Sequence, residues 1–486
     1  MVTENLKPAE VFEIFEEISR IPHGSYNIDA ISDWIVAYAQ TQGFQCIQDR
    51  DKNVIVIKAA DEGYEDVPAL IVQGHMDMVC SKEPGIEHDF TKDSLKLYVE
   101  DGFLKAKGTT LGADDGIAIA FALAAMSDSS IKTGRIEAVF TVNEEVGLLG
   151  AQSLDTSRLT GKYMINIDSA EEGHITVGCA GGLTANIKFP TEKEETKHPA
   201  YRLDISGLNG GHSGEQIDQG LANANMLLKD LLLNLNEEVD LQVSSISGGI
   251  ADNAIPAHAE AVIYLSDQEL EKAKKLVAMM SDLIRIRYAG IDDHIHITLL
   301  PYETKDHSFI SKSSFANILN FMTDVPNGVM KMSRDIEGLV ETSLNLGVID
   351  TGEDDVTFII SIRSSVEEEK QALYERVAVI AANYKGKSEK TSEYPGWQFN
   401  QNSKLRPLFC KIYSEMYGKA MKVEAIHAGL ECGIFSGKIK GLDSVSMGPD
   451  VFDLHTTTER LSIESAKRTY AFFTEILKSF SKEIKS

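Results

Sequence analysis

The chain has 486 residues, 43% of them apolar, and a formal net charge of −27. That length supplies a large core and exceeds one ordinary domain, so two domains are expected. The acidic balance argues against nucleic acid and against an anionic membrane surface as partners, since both need a basic face; it fits carboxylates gathered around cations as well as plain solubility.

The first stretch, MVTENLKPAEVFEIFEEISRI, is acidic and amphipathic, and it lacks the basic segment of a signal peptide. Apolar spacing predicts helices over 8–21 and 27–42, the second stopping at Gly43. FQCIQ and NVIVIKAA, joined by DRDK, read as a hairpin. Apolar strands then alternate with helices: ALIVQG (69–74), a helix over 115–127, IEAVFTV (136–142) and YMINID (163–168). That alternation indicates an α/β sheet with substantial parallel content. The uncharged run IAIAFALAAM (117–126) is about half of what a membrane span needs. From residue 183 the texture becomes charged and alternating, with helices predicted over 223–235 and 366–383. After Tyr394-Pro395-Gly396 it returns to helix (404–417), strand (443–447) and helix (461–480). The expected organisation is an α/β domain over 1–183 and 397–486, interrupted by an α+β domain over 184–396. Five scattered cysteines without a CxxC pair suit a reducing cytosol, and a cytoplasmic protein is expected.

Polar residues recur where apolar strands end. ALIVQG leads into His75-Met76-Asp77; the turn TLGADDG carries Asp114 and Asp115; IEAVFTV leads into Glu144-Glu145; YMINID closes on Asp168; and His455 follows the strand DSVSM. In open α/β sheets the ligand crevice lies outside the carboxyl ends of the strands. Singly, each segment is weak: a His-x-Asp is most often structural, and an Asp after a strand most often caps a helix. Together they aim imidazoles and carboxylates at one edge without a thiolate, a donor set suited to zinc, cobalt or manganese.

In the order QGHMDMV, TLGADDGI, NEEVGLLGA, NIDS, GLNGGHSGEQI, ADNAIPAHA, HAGLECGIF and GPDVFDLHTTTE, these segments resemble the zinc metallopeptidase family of glutamate carboxypeptidase, the aminoacylases, the tripeptidase and the carnosinases. The resemblance implies a phosphorylase/hydrolase-like α/β catalytic domain with an inserted α+β lid and dimerisation domain. It implies two zinc ions per subunit, with cobalt or manganese as substitutes. His75 and Asp168 would hold one ion, Glu145 and His455 the other, and Asp114 would bridge both. Asp77 would orient His75, Glu144 would be the general base, and the peptide bond after Asp114 would be cis. His212 would donate a hydrogen bond to the oxyanion, in dimeric relatives from the partner subunit. Asn253 and Arg363 would bind the substrate backbone and carboxylate, and Gly429 and Glu431 would line the pocket.

The activity implied is hydrolysis of unblocked dipeptides such as Xaa-His, carnosine included, by a homodimer joined through its lid, with an aminoacylase-type amidohydrolase as the alternative. Cys80 is expected as a buried spectator. His294 and His296 read as one face of a strand, and His174, His198 and His307 as surface.

Overall fold

The computed structural model describes residues 2–484. The chain forms two compact units. One comprises Met1–Cys179, Trp397–Ala425 and Leu430–Ser486; the other comprises Ala180–Gly396 with Ile426–Gly429.

The first unit is built on an eight-stranded sheet, in the order Gln45–Gln48, Val54–Lys58, Ile136–Thr141, Leu70–His75, Tyr163–Asn166, Asp443–Ser446, His174–Cys179 and Lys422–Ile426. Leu70–His75 runs parallel to both of its neighbours, and Asp443–Ser446 is parallel to Tyr163–Asn166. The first two strands form the expected antiparallel hairpin, with Cys46 opposite Val56. Leu70–His75 and Ile136–Thr141 are buried along their whole length, which explains continuous apolar runs rather than alternation. The helix Ala113–Ser127 is also buried almost all round, so it is apolar on every face. It can press this closely on the sheet because position 74 is glycine: a Cβ there would stand 2.4 Å from the Ala118 Cβ and 2.5 Å from the Asp115 Oδ2. The last helix, Ile463–Glu483, buries Phe472, Phe473, Ile476, Leu477 and Phe480 on one face.

One element is absent from the sequence reading. Leu97–Glu100, Phe103–Ala106, Arg460–Ser462 and Val451–Phe452 form a small antiparallel sheet. Its first hairpin turns through Asp101 and Gly102, both at positive φ (51° and 82°). An Asp-Gly pair between short strands is the usual sign of such a turn.

The inserted unit carries a sheet whose strand order is His296–Pro301, Ala200–Ser206, Ala259–Tyr264, Gln242–Gly248, Val340–Thr351, Asp355–Ser364, Gly181–Pro190 and Lys387–Tyr394, with Gly328–Met332 paired to Val340–Thr351. The pairs are antiparallel, and burial alternates along Gln242–Gly248 and Ala259–Tyr264, as expected of strands with one face on the core. Helices Ala224–Glu238, Asp267–Arg287 and Lys312–Asp324 begin with side-chain caps from Asn223, Ser266 and Ser311. The core holds an aromatic cluster: Phe189 and Phe321 are 4.9 Å apart by ring centroid, and Phe358 meets them edge-on at 5.7 and 5.1 Å. No helix among the described residues is long and apolar enough to cross a membrane.

Phe358 is fully buried, so Phe358→Ala should lower the unfolding free energy by about 3–5 kcal/mol in a urea titration followed by circular dichroism. A loss below about 1 kcal/mol would contradict this account of the core.

Candidate metal centre and inserted-unit cluster

The parallel strands of the first unit set the site. His75 ends one strand and lies opposite Thr141 on the next. Past Thr141 the chain does not continue extended: Asn143 takes φ 55°, and the Glu144 carbonyl accepts from the Gly147 and Leu148 N–H groups. Glu144 and Glu145 therefore stand in a turn rather than in an extended segment. Asp168 follows the third strand, Asp114 opens the buried helix, and the Asp114–Asp115 peptide bond is cis.

These segments converge. Asp114 Oδ1 lies 3.1 Å from His75 Nε2, and its Oδ2 lies 3.1 Å from His455 Nε2. Asp168 Oδ1 is 3.8 Å from His75 Nε2, and Glu145 Oε1 is 3.0 Å from His455 Nε2. One carboxylate thus faces two imidazoles, each with a second carboxylate beside it. Ligand atoms about 2.0–2.1 Å from one tetrahedral ion stand about 3.3 Å apart, close to these separations. Glu145 Oε1 has no hydrogen-bond partner despite its approach to His455, as expected when both atoms aim at a common point between them.

The electrostatics tell the same story. Burial pushes Glu144 up to about 8, aided by Glu431, Glu145 and Asp114 and opposed by His75. Burial and the neighbouring Asp115 hold Asp168 well above the usual carboxylate range. His455 is raised to about 10 by its hydrogen bond with Asp114 and by the Glu145 carboxylate beside it. Burial opposes a charge on His75, but Asp114 and Asp77 overcome it and raise His75 well above its ordinary value. Among the described residues no Lys or Arg pairs with any of these carboxylates. The donor set therefore fits divalent cations, which supply the missing positive charge.

Asp77 is buried, yet His75 Nδ1 donates to its main-chain carbonyl at 2.9 Å, while the nearer carboxylate oxygen stands 3.7 Å away. That carboxylate instead accepts from the Glu144 N–H at 2.9 Å and the Ser25 hydroxyl at 2.8 Å. Asp77 thus anchors the His75 segment and the Glu144 turn together. Asp115, not singled out from sequence as a site residue, accepts from the His75 N–H at 3.1 Å and fixes the His75 backbone. Glu431 is fully buried, bonded by Gln73 and Thr141, and burial pushes it up to about 7. Cys80 is exposed rather than buried, and it lies beside Gly24.

The inserted unit gathers its own candidates. His212 pairs with Ala254 across a two-residue ribbon, and the Ser213 N–H reaches the Asn253 carbonyl at 2.8 Å, so His212 and Asn253 are neighbours. His212 Nδ1 accepts from the Glu215 N–H at 3.1 Å, so the neutral ring carries its proton on Nε2. Burial and the Arg363 charge lower its pKa. Arg363 is buried; its Nη1 donates to the Tyr394 hydroxyl at 3.0 Å and its Nε has no partner. Gly429 lies against Tyr394, where a Cβ would come within 2.8 Å of the ring. His427 joins this cluster unforeseen: it is buried, bonded to the Ser343 hydroxyl at 2.7 Å, and lowered to about 3 by burial and Arg363. Its place in HAGLECG, two residues before Gly429, was the available signal.

The arrangement is that of a metallopeptidase. The description "Peptidase family M20/M25/M40" matches residues 71–479, and the chain belongs to that family. It is 36% identical over 477 residues to the cytosol non-specific dipeptidase of Escherichia coli (strain K12), covering 97% of this chain and 98% of the relative. The crystal structure of aminoacylhistidine dipeptidase from Vibrio alginolyticus superposes with a TM-score of 0.91 at 34% identity, covering 98% of this chain and 97% of that one. An aminopeptidase from Bacillus cereus shares the fold, with a TM-score of 0.62 at 18% identity, over 98% of this chain and 99% of its own.

A Gly429→Ala side chain would push the Tyr394 ring off Arg363. Losing that charge-assisted hydrogen bond should lower the unfolding free energy by about 1.5–3 kcal/mol in a urea titration. An unchanged stability would contradict this reading of the Gly429–Tyr394 contact.

Proposed function

We propose that the chain is a dinuclear zinc dipeptidase hydrolysing unblocked dipeptides such as Xaa-His, carnosine included. The observation carrying this reading is the Asp114 carboxylate, whose two oxygens face His75 and His455 separately at 3.1 Å. Likeness to the two dipeptidases along nearly the whole chain supports the substrate class. His75 and Asp168 would hold one ion, Glu145 and His455 the other, and Asp114 both; cobalt or manganese would substitute. Bound there, such cations would lower the pKa of the attacking water and polarise the peptide carbonyl.

Glu144 takes a proton as water attacks the carbonyl carbon and passes it to the departing amine nitrogen. Its burial offsets the pull of nearby cations, keeping the carboxylate basic enough for this work. The Asp77 carboxylate holds the Glu144 main chain while its carbonyl holds the His75 ring. His212, with its proton on Nε2, donates to the oxyanion. Arg363 binds the substrate carboxylate through its fork, with Asn253 on the backbone and Gly429 and Glu431 near the substrate ends.

The inserted unit, expected over 184–396, acts as lid and dimerisation domain. Met279, Leu283 and Ile286 form an exposed apolar stripe at helical spacing, 51%, 55% and 74% exposed. His296–Pro301 is an edge strand with Leu300 53% exposed. A two-fold pairing of these features would cover both. The cytosolic relative and five free cysteines support a cytoplasmic location.

Zinc-reconstituted protein should cleave Gly-His and beta-Ala-His and spare N-acetyl-His and a tripeptide. Glu144→Ala should lose about 10²–10⁴ in kcat while still binding metal. Cleavage of N-acetyl-His alone would move the substrate to the acylase class. Leu283→Glu should convert a dimer to a monomer in light scattering; a wild-type monomer, or a mutant dimer, would contradict the proposed interface.

A further inference from the structure

Glu459 is buried, 3% exposed, and pairs with no cation among the described residues. Its carboxylate faces backbone only. Oε2 accepts from the Leu111 and Gly112 N–H groups at 2.8 and 3.1 Å, and Oε1 from those of Ala113 and Asp114 at 2.9 and 3.4 Å. Four successive amides of the loop that delivers Asp114 are thus gathered by one side chain. The loop needs such a hold: Gly112 is left-handed at φ 70°, and Asp114 and Asp115 have non-helical dihedrals at the mouth of their helix.

A helix start needs only a local cap, such as the Asn223, Ser266 and Ser311 side chains give elsewhere in this chain. Here the acceptor comes from 345 residues away along the chain. It comes from the turn that presents His455. That turn is closed on itself: Glu459 N–H reaches the Thr456 carbonyl, Thr456 N–H reaches the Asp453 carbonyl, and Thr458 N–H reaches the Thr456 hydroxyl, each at 3.2 Å. Ser81 ties the same two segments a second time, donating to the His455 carbonyl at 3.0 Å and pairing with Thr110. Glu459 therefore moves with His455 and holds Asp114.

We infer that Glu459 is a positioning residue that sets the Asp114 carboxylate between His75 and His455, and so sets the affinity of the centre for its metal. The inference rests on the reading of Asp114 as a ligand. In Glu459→Gln one oxygen becomes an NH₂ donor facing two N–H donors, so half of the clamp is lost and the loop is pushed away.

The test titrates Zn2+ into metal-free full-length protein against a chromophoric chelator, and records the melting temperature of the metal-free form. Glu459→Gln should weaken Zn2+ binding about 10–100-fold, as loss of a group supporting metal ligands does. Glu459→Asp keeps the charge but is one methylene shorter; it should fall between Glu459→Gln and the parent, and it serves if Glu459→Gln does not fold. Asp114→Asn is the control and should bind Zn2+ far more weakly than either. A lower melting temperature with unchanged Zn2+ affinity in the Glu459 variants, beside a weakened Asp114→Asn, would overturn the inference and leave the metal centre standing. Unchanged Zn2+ affinity in Asp114→Asn would overturn the metal-centre reading itself.

Discussion

The crowding of half-buried carboxylates is the constraint around which the first unit is organised. Asp114, Glu144, Glu145 and Asp168 meet at the ends of parallel strands with two imidazoles and no partner Lys or Arg among the described residues. Burying charge of one sign costs several kcal/mol per group unless it is neutralised. Without cations, burial and then neighbouring carboxylates push Glu144 and Asp168 toward the protonated state, the carboxylates raise His75 and His455, and these two imidazoles hold Asp114 below its ordinary value despite its burial. Divalent cations bound here would replace those protons and turn a liability into a reactive centre.

The scaffold beneath is arranged to hold that conflict in place. Strand register puts His75 beside Thr141, and Gly74 lets the helix bearing Asp114 and Asp115 close on the strand. Beside this cluster runs a buried polar chain: Asn166 donates to Gln73 at 2.7 Å, and Gln73 and Thr141 both donate to Glu431. Polar groups deep in a core are tolerated only when bonded, and a bonded network fixes the strands that carry it. Asp77 and Asp115 add the final restraints through main-chain contacts, so the protein itself fixes the geometry of the cluster.

Much of this was legible in the sequence, and for identifiable reasons. Buried parallel strands leave unbroken apolar runs, so the placement of polar residues just after ALIVQG, IEAVFTV and YMINID could be read directly. The order of segments carried the family resemblance, and the change of texture near residue 183 marked the insertion. Contacts made by backbone atoms escaped. Nothing in HMD says that the Asp77 carbonyl, rather than its carboxylate, takes the His75 proton. Nothing in TTTER says that Glu459 reaches a loop hundreds of residues earlier. The Asn143 turn was also missed, because a left-handed Asn between a strand and two glutamates is a local backbone choice with only a weak residue signature. His427 was not legible either: what marks it is its surroundings, the Ser343 hydroxyl and the Arg363 charge, which lie far away in sequence.

The central claim is that two cations neutralise this cluster, so the most direct measurement is the number of ions bound per chain. Metal-free protein would be saturated with Zn2+, freed of excess by dialysis, and analysed for zinc against protein concentration. The account predicts two zinc ions per chain. One ion or none at saturation would contradict it, since a single ion leaves one of the two imidazole–carboxylate pairs facing Asp114 without its partner charge.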